Sequence, residues 1–433
     1  MRIVHLAAGA ANMYCGGCMR DAALARALIA RGHDVQIVPL YTPLRLDGDE
    51  ALPVTDVHLG AMNAYLQQLH TGFARLPRPI ARLLDHPRLL RWLSRFAVST
   101  RPAQLGPMTV SVLAGADGRQ RAELGRLLDF LAGQVHPDAI TITNSMLSGI
   151  APEVKRRLGV PVVCELKGED GFIDAIPEPH RAQAIALMRR NAASIDRMVA
   201  PSQAYADHMA GYLDVPRERI AVVPSIIGSA SLRRDGPRVR EPFTVGYLSV
   251  ITPRKGLHVL AEAFKRLAAE GRDARLRVAG QVLDRRYMRE IEQRVRRAGI
   301  ADRVEFLGEL DRAEKVAFLH SLSALVQPSI KPEVLGTVAL EAQAAGLPVV
   351  APDDGVFPEM LAATEGGMLF APADADDLAA KLAGLMDDAD AADATGESGA
   401  QAVARLHGEA YSAQAMIALL DELTTDHPKA RGD

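Results

Sequence analysis

Lys331-Pro332-Glu333-Val334-Leu335-Gly336-Thr337-Val338-Ala339-Leu340-Glu341-Ala342-Gln343-Ala344-Ala345-Gly346-Leu347 carries two carboxylates, Glu333 and Glu341, with seven residues between them. Gly336 and Thr337 stand where a loop can turn into a helix over 338–345, and Gly346 closes that helix. The first N–H groups of a helix lack intrahelical acceptors and carry partial positive charge, so its start favours an anion. Glycine lets the anion approach the backbone closely. An acid on each side adds acceptors for hydroxyls. Phosphate held by backbone and hydroxyls held by acids are the two demands of a nucleotide-sugar site. Taken alone, the spacing equally fits an amphipathic αβ unit with two solvated glutamates, so the surrounding chain has to decide.

Upstream, short apolar runs alternate with helical patterns. In the first half the runs fall at 3–7, 35–39, 139–143, 161–165 and 197–200, with a helical stretch at 21–31 after the first. A second cycle begins at 244–250 and continues at 275–279, 303–307, 324–327 and 348–351. Helical stretches at 256–271, 285–298, 312–321 and 339–345 separate these runs. Such alternation predicts parallel sheets covered on both faces, an α/β fold. The polar segment 229–242 reads as a linker, giving a first domain over 1–228 and a second over 243–405. Two Rossmann-like domains facing a central cleft are expected, with ligand at the carboxyl ends of the strands. Segment 373–400, dense in Asp and Ala, reads as a solvated helix face plus loop. Its aspartates show no metal-ligand spacing.

At 433 residues the chain is long enough for two cores, and 48% apolar with 24% charged residues is a globular composition. A net charge of −3 gives no general pull toward nucleic acid or anionic membrane, so no nucleic-acid partner is expected. No apolar run has the length of a bilayer span. The strand pattern begins at the first residues and leaves no room for a signal peptide, which implies a cytoplasmic location. Three cysteines are too few for a disulfide framework.

The opening stretch resembles the E-x7-E motif of the retaining glycosyltransferases of family 4, the glycosyl transferases of group 1 and of the GT-B class. Gly346-Leu347-Pro348-Val349-Val350-Ala351 resembles the return from helix to strand that follows that motif. Val245-Gly246-Tyr247-Leu248-Ser249, with Lys255-Gly256, resembles the strand and loop that hold the donor diphosphate. The family usually places an arginine where this chain has Tyr247. Lys255 fits the family lysine, and Arg254 either supplies the charge of the missing arginine or is a surface residue. Arg277-Val278-Ala279-Gly280 and Val304-Glu305-Phe306-Leu307-Gly308 resemble strands ending near base and ribose, which would put Gly308 and Glu309 beside the base. The resemblance implies donor binding by Leu335, Gly336 and Thr337, with Glu341 on the ribose and Glu333 on the sugar. It assigns the catalytic work to Lys255 and Glu333. It also implies that the terminal stretch 406–433 crosses back to the first domain.

The first domain resembles the family more loosely. Gly16 and Gly17, ahead of Arg20-Asp21, stand where family members carry a glycine-rich loop toward the donor phosphate. Many members have a histidine where this chain has Lys167, and a lysine only donates and carries charge. Lys167, Glu169 and Asp170 are therefore expected to meet either an unusual donor sugar or the acceptor. Cys15-Gly16-Gly17-Cys18 is read as loop packing ahead of a redox pair or a metal site, because no second pair of ligands accompanies it. Segment 75–101 mixes arginines with leucines and the one tryptophan, Trp92. It is expected either to cap the acceptor side or to touch a membrane peripherally at the inner face.

These readings imply a retaining, metal-independent transferase without a cofactor, moving a sugar from a nucleoside-diphosphate sugar to a glycan, lipid or small-molecule acceptor. The alternatives are a nucleotide-sugar epimerase or hydrolase of the same fold, and a nucleotide-binding scaffold with decayed activity.

Overall fold

The computed structural model describes residues 1–8, 16–41, 53–54, 102–234, 236 and 241–426. The chain divides into two compact units, one of Met1–Pro224 with Ser412–Asp433, the other of Ser225–Tyr411.

In the first unit the strands are β1 (Arg2–Ala7), β2 (Asp34–Pro39), β3 (Ala139–Ile142), β4 (Val162–Glu165), β5 (Arg197–Ala200) and β6 (Ile220–Val222). They form one parallel sheet in the order β2-β1-β3-β4-β5-β6. Every residue of β3 and β4 is buried, as expected of strands covered on both faces. The order reverses between β1 and β3, the place where doubly wound sheets open a crevice. β6, three residues long, carries too little pattern to stand out in the sequence. The last helix, Glu409–Asp426, belongs from Ser412 onward to this unit. Arg197 donates to Glu422 at 3.1 Å, Ser412 Oγ donates to the Pro224 carbonyl at 3.1 Å, and Met416 and Leu420 are fully buried.

The second unit contains β7 (Phe243–Leu248), β8 (Ala274–Ala279), β9 (Val304–Gly308), β10 (Ala324–Val326), β11 (Val349–Pro352) and β12 (Gly367–Phe370). This sheet is parallel in the order β12-β11-β10-β7-β8-β9 and reverses between β7 and β10. Alternate residues serve two cores: Val245, Tyr247 and Val350 join one, Leu248, Val349 and Ala351 the other. Helices Leu257–Ala269, Arg285–Arg297 and Ala375–Asp387 close the first core. Arg312–His320, Thr337–Ala344 and Phe357–Thr364 close the second. Arg285–Arg297 shows the logic on one element. Asp284 accepts from the Arg286 and Tyr287 N–H groups to start it, and Tyr287, Met288, Ile291 and Val295 form its buried stripe.

One expectation needs correction. Segment 373–400 is not a solvated face plus loop but two helices, Ala375–Asp387 and Ala389–Leu406, which bury Leu378, Leu382, Leu385, Ala392 and Ala400. The Asp-rich composition masked an apolar i, i+4, i+7 stripe. β12 also went unread, because at four residues, mostly half-buried, it carries too little pattern. Segment 75–101 and Cys15 lie outside the described residues. Among the described residues no helix is long and apolar enough to cross a membrane.

Candidate active site

At the carboxyl edge of the second sheet, the loop after β7 and the loop after β10 are clasped together. Pro253–Lys255 forms a 3-10 turn ending in Gly256, whose φ of 70° is a left-handed conformation. A Cβ at Gly256 would overlap the Pro328 carbonyl oxygen, so the two loops approach as closely as backbones can. Ile330 N–H donates to the Arg254 carbonyl at 2.9 Å across the same junction. This clasp sets the register that brings Lys255 to Glu333. Lys255 Nζ donates to Glu333 Oε1, and Ser329 Oγ donates to the same oxygen at 2.7 Å. Both charged side chains are largely shielded, 14% exposed for Lys255 and 19% for Glu333. From the other side, the Glu333 carbonyl accepts from Val356 N–H at 2.8 Å.

Three residues further on, Gly336 takes φ 56° and opens the helix Thr337–Ala344. No side chain caps this start, so its first-turn N–H groups remain available to an anion. Leu335 and Thr337 flank the glycine half-buried. Glu341, one turn along, accepts through Oε1 from Lys315 Nζ at 2.6 Å. Gly308 ends β9 exposed, with φ 76°, and its carbonyl accepts from Gly280 N–H at 2.7 Å. Glu309 is exposed beside it. Arg254 is exposed on the 3-10 turn next to Lys255. Tyr247 is buried in the core, its hydroxyl donating to the Val250 carbonyl at 3.3 Å, and presents nothing to a ligand.

The residues singled out in the first unit meet in a different setting. Gly16 opens the helix Gly16–Ile29, and Gly17 is half-buried. Lys167, its side chain 9% exposed, pairs with Asp21 and, at 3.3 Å, with Glu165. Arg20 pairs with Glu165, Thr143 Oγ1 donates to Asp21 at 2.7 Å, and His5 lies 3.2 Å from Asp21. Burial alone would raise the Asp21 pKa, but Lys167 and His5 outweigh it and hold the carboxyl far below its usual range. Burial alone would lower that of Lys167, but Asp21 and Glu165 outweigh it and raise it. His5, Asp21 and Glu165 bring ligand atoms within 4.8 Å of one another. Arg20 and Lys167 both reach Oε2 of Glu165, and Lys167 also pairs with Asp21, so fixed cations already compensate the two carboxylates, while Oε1 of Glu165 is buried without a hydrogen-bond partner.

Glu169 accepts from Ser145 Oγ, from Ser145 N–H at 2.9 Å and from Lys167 N–H at 2.7 Å. Asp170 accepts from the Tyr205 hydroxyl at 2.6 Å and sits 3.1 Å from His208. Lys167 and Glu169 therefore direct their polar groups inward. Cys164 is buried, and burial with the nearby Glu169 and Glu165 pushes its thiol pKa up, away from reactivity.

The sequence profile of "Glycosyl transferases group 1" matches residues 229–402, and that of "Glycosyl transferase 4-like domain" matches 19–225. The chain belongs to the group 1 glycosyl transferases. It is similar to the phosphatidyl-myo-inositol mannosyltransferase of Mycolicibacterium smegmatis, at 35% identity over 34% of this chain and 37% of that protein. The match thus spans little more than a third of that relative. The D-inositol 3-phosphate glycosyltransferase of Segniliparus rotundus is 28% identical over 72% of this chain and 73% of its own. Among solved structures, Anabaena HepE in complex with UDP has a TM-score of 0.66 at 18% identity, covering 98% of this chain and 100% of that one. Sucrose-phosphate synthase from Thermosynechococcus elongatus reaches 0.71 at 18% identity, with 98% and 100% covered. The fold of the group 1 protein described here is GT-B.

Ser329 and Lys315 were not found from the sequence. Ser329 lies four residues before Glu333 in an irregular loop, where spacing has no fixed geometric meaning. Lys315 meets Glu341 only through the packing of two separate helices.

Proposed function

We propose that this chain is a retaining glycosyltransferase that moves a sugar from a nucleoside-diphosphate sugar to a glycan, lipid or small-molecule acceptor, without a metal. The observation that carries the proposal is the Lys255–Glu333 pair beside the uncapped start of helix Thr337–Ala344. Lys255 and the first-turn N–H groups take the diphosphate, with Arg254 adding charge from the exposed turn. Glu341 accepts from the ribose hydroxyls and Glu333 from those of the sugar. The backbone at Leu335, Gly336 and Thr337 lines the phosphates, and that at Gly308 lines the base.

In the reaction the bond between the anomeric carbon and the diphosphate breaks, and a bond to the acceptor oxygen forms on the same face. The acceptor hydroxyl proton leaves with the diphosphate. Charge grows on the leaving oxygen, so fixed donors aimed there lower the barrier most. A lysine and helix-start amides supply such donors directly. Support from relatives is consistent: HepE is solved with UDP and with UDP-glucose, and the sequence relatives include a mannosyltransferase.

The test incubates the protein with UDP-, GDP- and ADP-sugars and an acceptor panel, with and without EDTA. Products are read by nuclear magnetic resonance. The expected result is nucleoside-diphosphate release in multiple turnovers, unaffected by EDTA, with the donor's anomeric configuration kept in the product. Inversion, epimerised donor or release without transfer would overturn it.

A further inference from the structure

Each glutamate of the opening motif is held by its own lysine, and the two lysines come from different elements. Lys255 reaches Glu333 from the turn after β7, and Lys315 reaches Glu341 from the helix Arg312–His320. The second pair has no counterpart among the expectations from sequence.

Three features make the second pair more than a surface contact. It is shielded, with Lys315 24% and Glu341 15% exposed, so the attraction is screened less than at an open surface. Lys315 also projects from a rigid element. A capping box fixes the helix start: Glu314 N–H donates to Asp311 at 2.9 Å, and Asp311 N–H donates back to Glu314 at 2.8 Å. Phe318 and Leu319 anchor the helix in the same core as Leu340. Finally, the bond uses only Oε1 of Glu341, and its other oxygen has no partner among the described residues.

We propose that Lys315 is a positioning residue for nucleotide recognition: it holds Glu341 by one oxygen so that the other is presented to the ribose hydroxyls. This rests on the reading of Glu341 as the ribose acid. Two physical effects follow. A glutamate fixed in advance loses less rotamer entropy when ligand binds. A neutralised glutamate also repels an incoming diphosphate less, and with Lys255 on Glu333 both acids are compensated before the donor arrives.

Calorimetric titration with UDP, ADP and GDP, each beside its 2′,3′-dideoxy analogue, tests this on wild type, Lys315→Met, Lys315→Arg, Glu341→Ala and the Lys315→Met/Glu341→Ala double variant. Thermal melts confirm that each variant is folded. Lys315→Met is expected to weaken the bound nucleoside diphosphate about tenfold, the scale of one hydrogen bond to a charged group. The dideoxy analogue should lose far less, Lys315→Arg should restore most of the affinity, and Lys315→Met should add nothing in the Glu341→Ala background. A Lys315→Met loss that persists undiminished without Glu341, or that falls equally on the dideoxy analogue, overturns the proposal in favour of direct contact or a structural tether. Loss in Glu341→Ala with none in Lys315→Met overturns the role of Lys315 alone. Unchanged affinity in Glu341→Ala overturns the placement of the ribose acid and the role of Lys315 with it.

Discussion

Lys255 and Glu333 are 78 residues apart in sequence and share one hydrogen bond. Such a pair is legible from sequence only when each half carries its own local signal, as the lysine-glycine turn and the spaced glutamates do. Lys167 had no such help. Its position in a polar loop suggested a ligand contact, whereas the fold surrounds it with Asp21, Glu165 and Arg20. That cluster makes a pH prediction. Asp21 is depressed in the folded state, so its contribution to stability is present above about pH 4 and lost as pH falls. Lys167 is raised, so its contribution is present below about pH 10 and lost as pH rises. Denaturant unfolding across pH should show a steeper acid loss in wild type than in the Asp21→Leu/Lys167→Met double variant. Asp21→Asn alone, which leaves a buried lysine undercompensated, should cost about 3 kcal/mol at neutral pH. A single variant no less stable than the double would contradict this account of the cluster.

Among the elements, the parts read correctly were those whose local chemistry and packing agree. β7 and β10 are buried apolar runs and β8 alternates buried apolar residues with Arg275 and Arg277, all between helices with clear stripes, and their parallel pairing follows from that alternation. β6 and β12 are too short or too exposed to carry a pattern, and the helices after β12 were hidden by their aspartates. The clasp between the loops after β7 and β10 was not legible at all, because it depends on two backbones meeting. It predicts an asymmetry between two glycines of similar φ. Ala at Gly256 would overlap a backbone oxygen, so the loops themselves must separate, whereas Ala at Gly336 would meet the side chains of Met360 and Val356, which can yield. Each carries a left-handed penalty of about 1 kcal/mol, and Gly256→Ala should add further loss and break the Lys255–Glu333 contact. Thermal melts and nucleotide titration of the two variants check this. Equal behaviour would mean that the clasp does not organise the site.

At the scale of the whole chain, two six-stranded parallel sheets each reverse order beside their first strand, and the final helix returns from one unit to the other. The sheet architecture was readable because βα alternation occurs twice with a polar break between. The strand order was not, since sequence pattern does not say which strands are neighbours. The return of the helix assigns its apolar residues to the first unit's stability. Leu420→Ala should cost about 2–5 kcal/mol and raise hydrogen exchange in β1 to β6 while β7 to β12 keep their protection. Increased exchange confined to the second sheet would contradict that assignment. The central claim is that the Lys255–Glu333 pair and Glu341 form a nucleoside-diphosphate site. Calorimetric titration of wild type, Lys255→Ala and Glu341→Ala with UDP, GDP and ADP tests it most directly. Saturable binding of one nucleotide, weakened about tenfold or more in each variant, is the predicted result. Binding to wild type that neither substitution changes would contradict it.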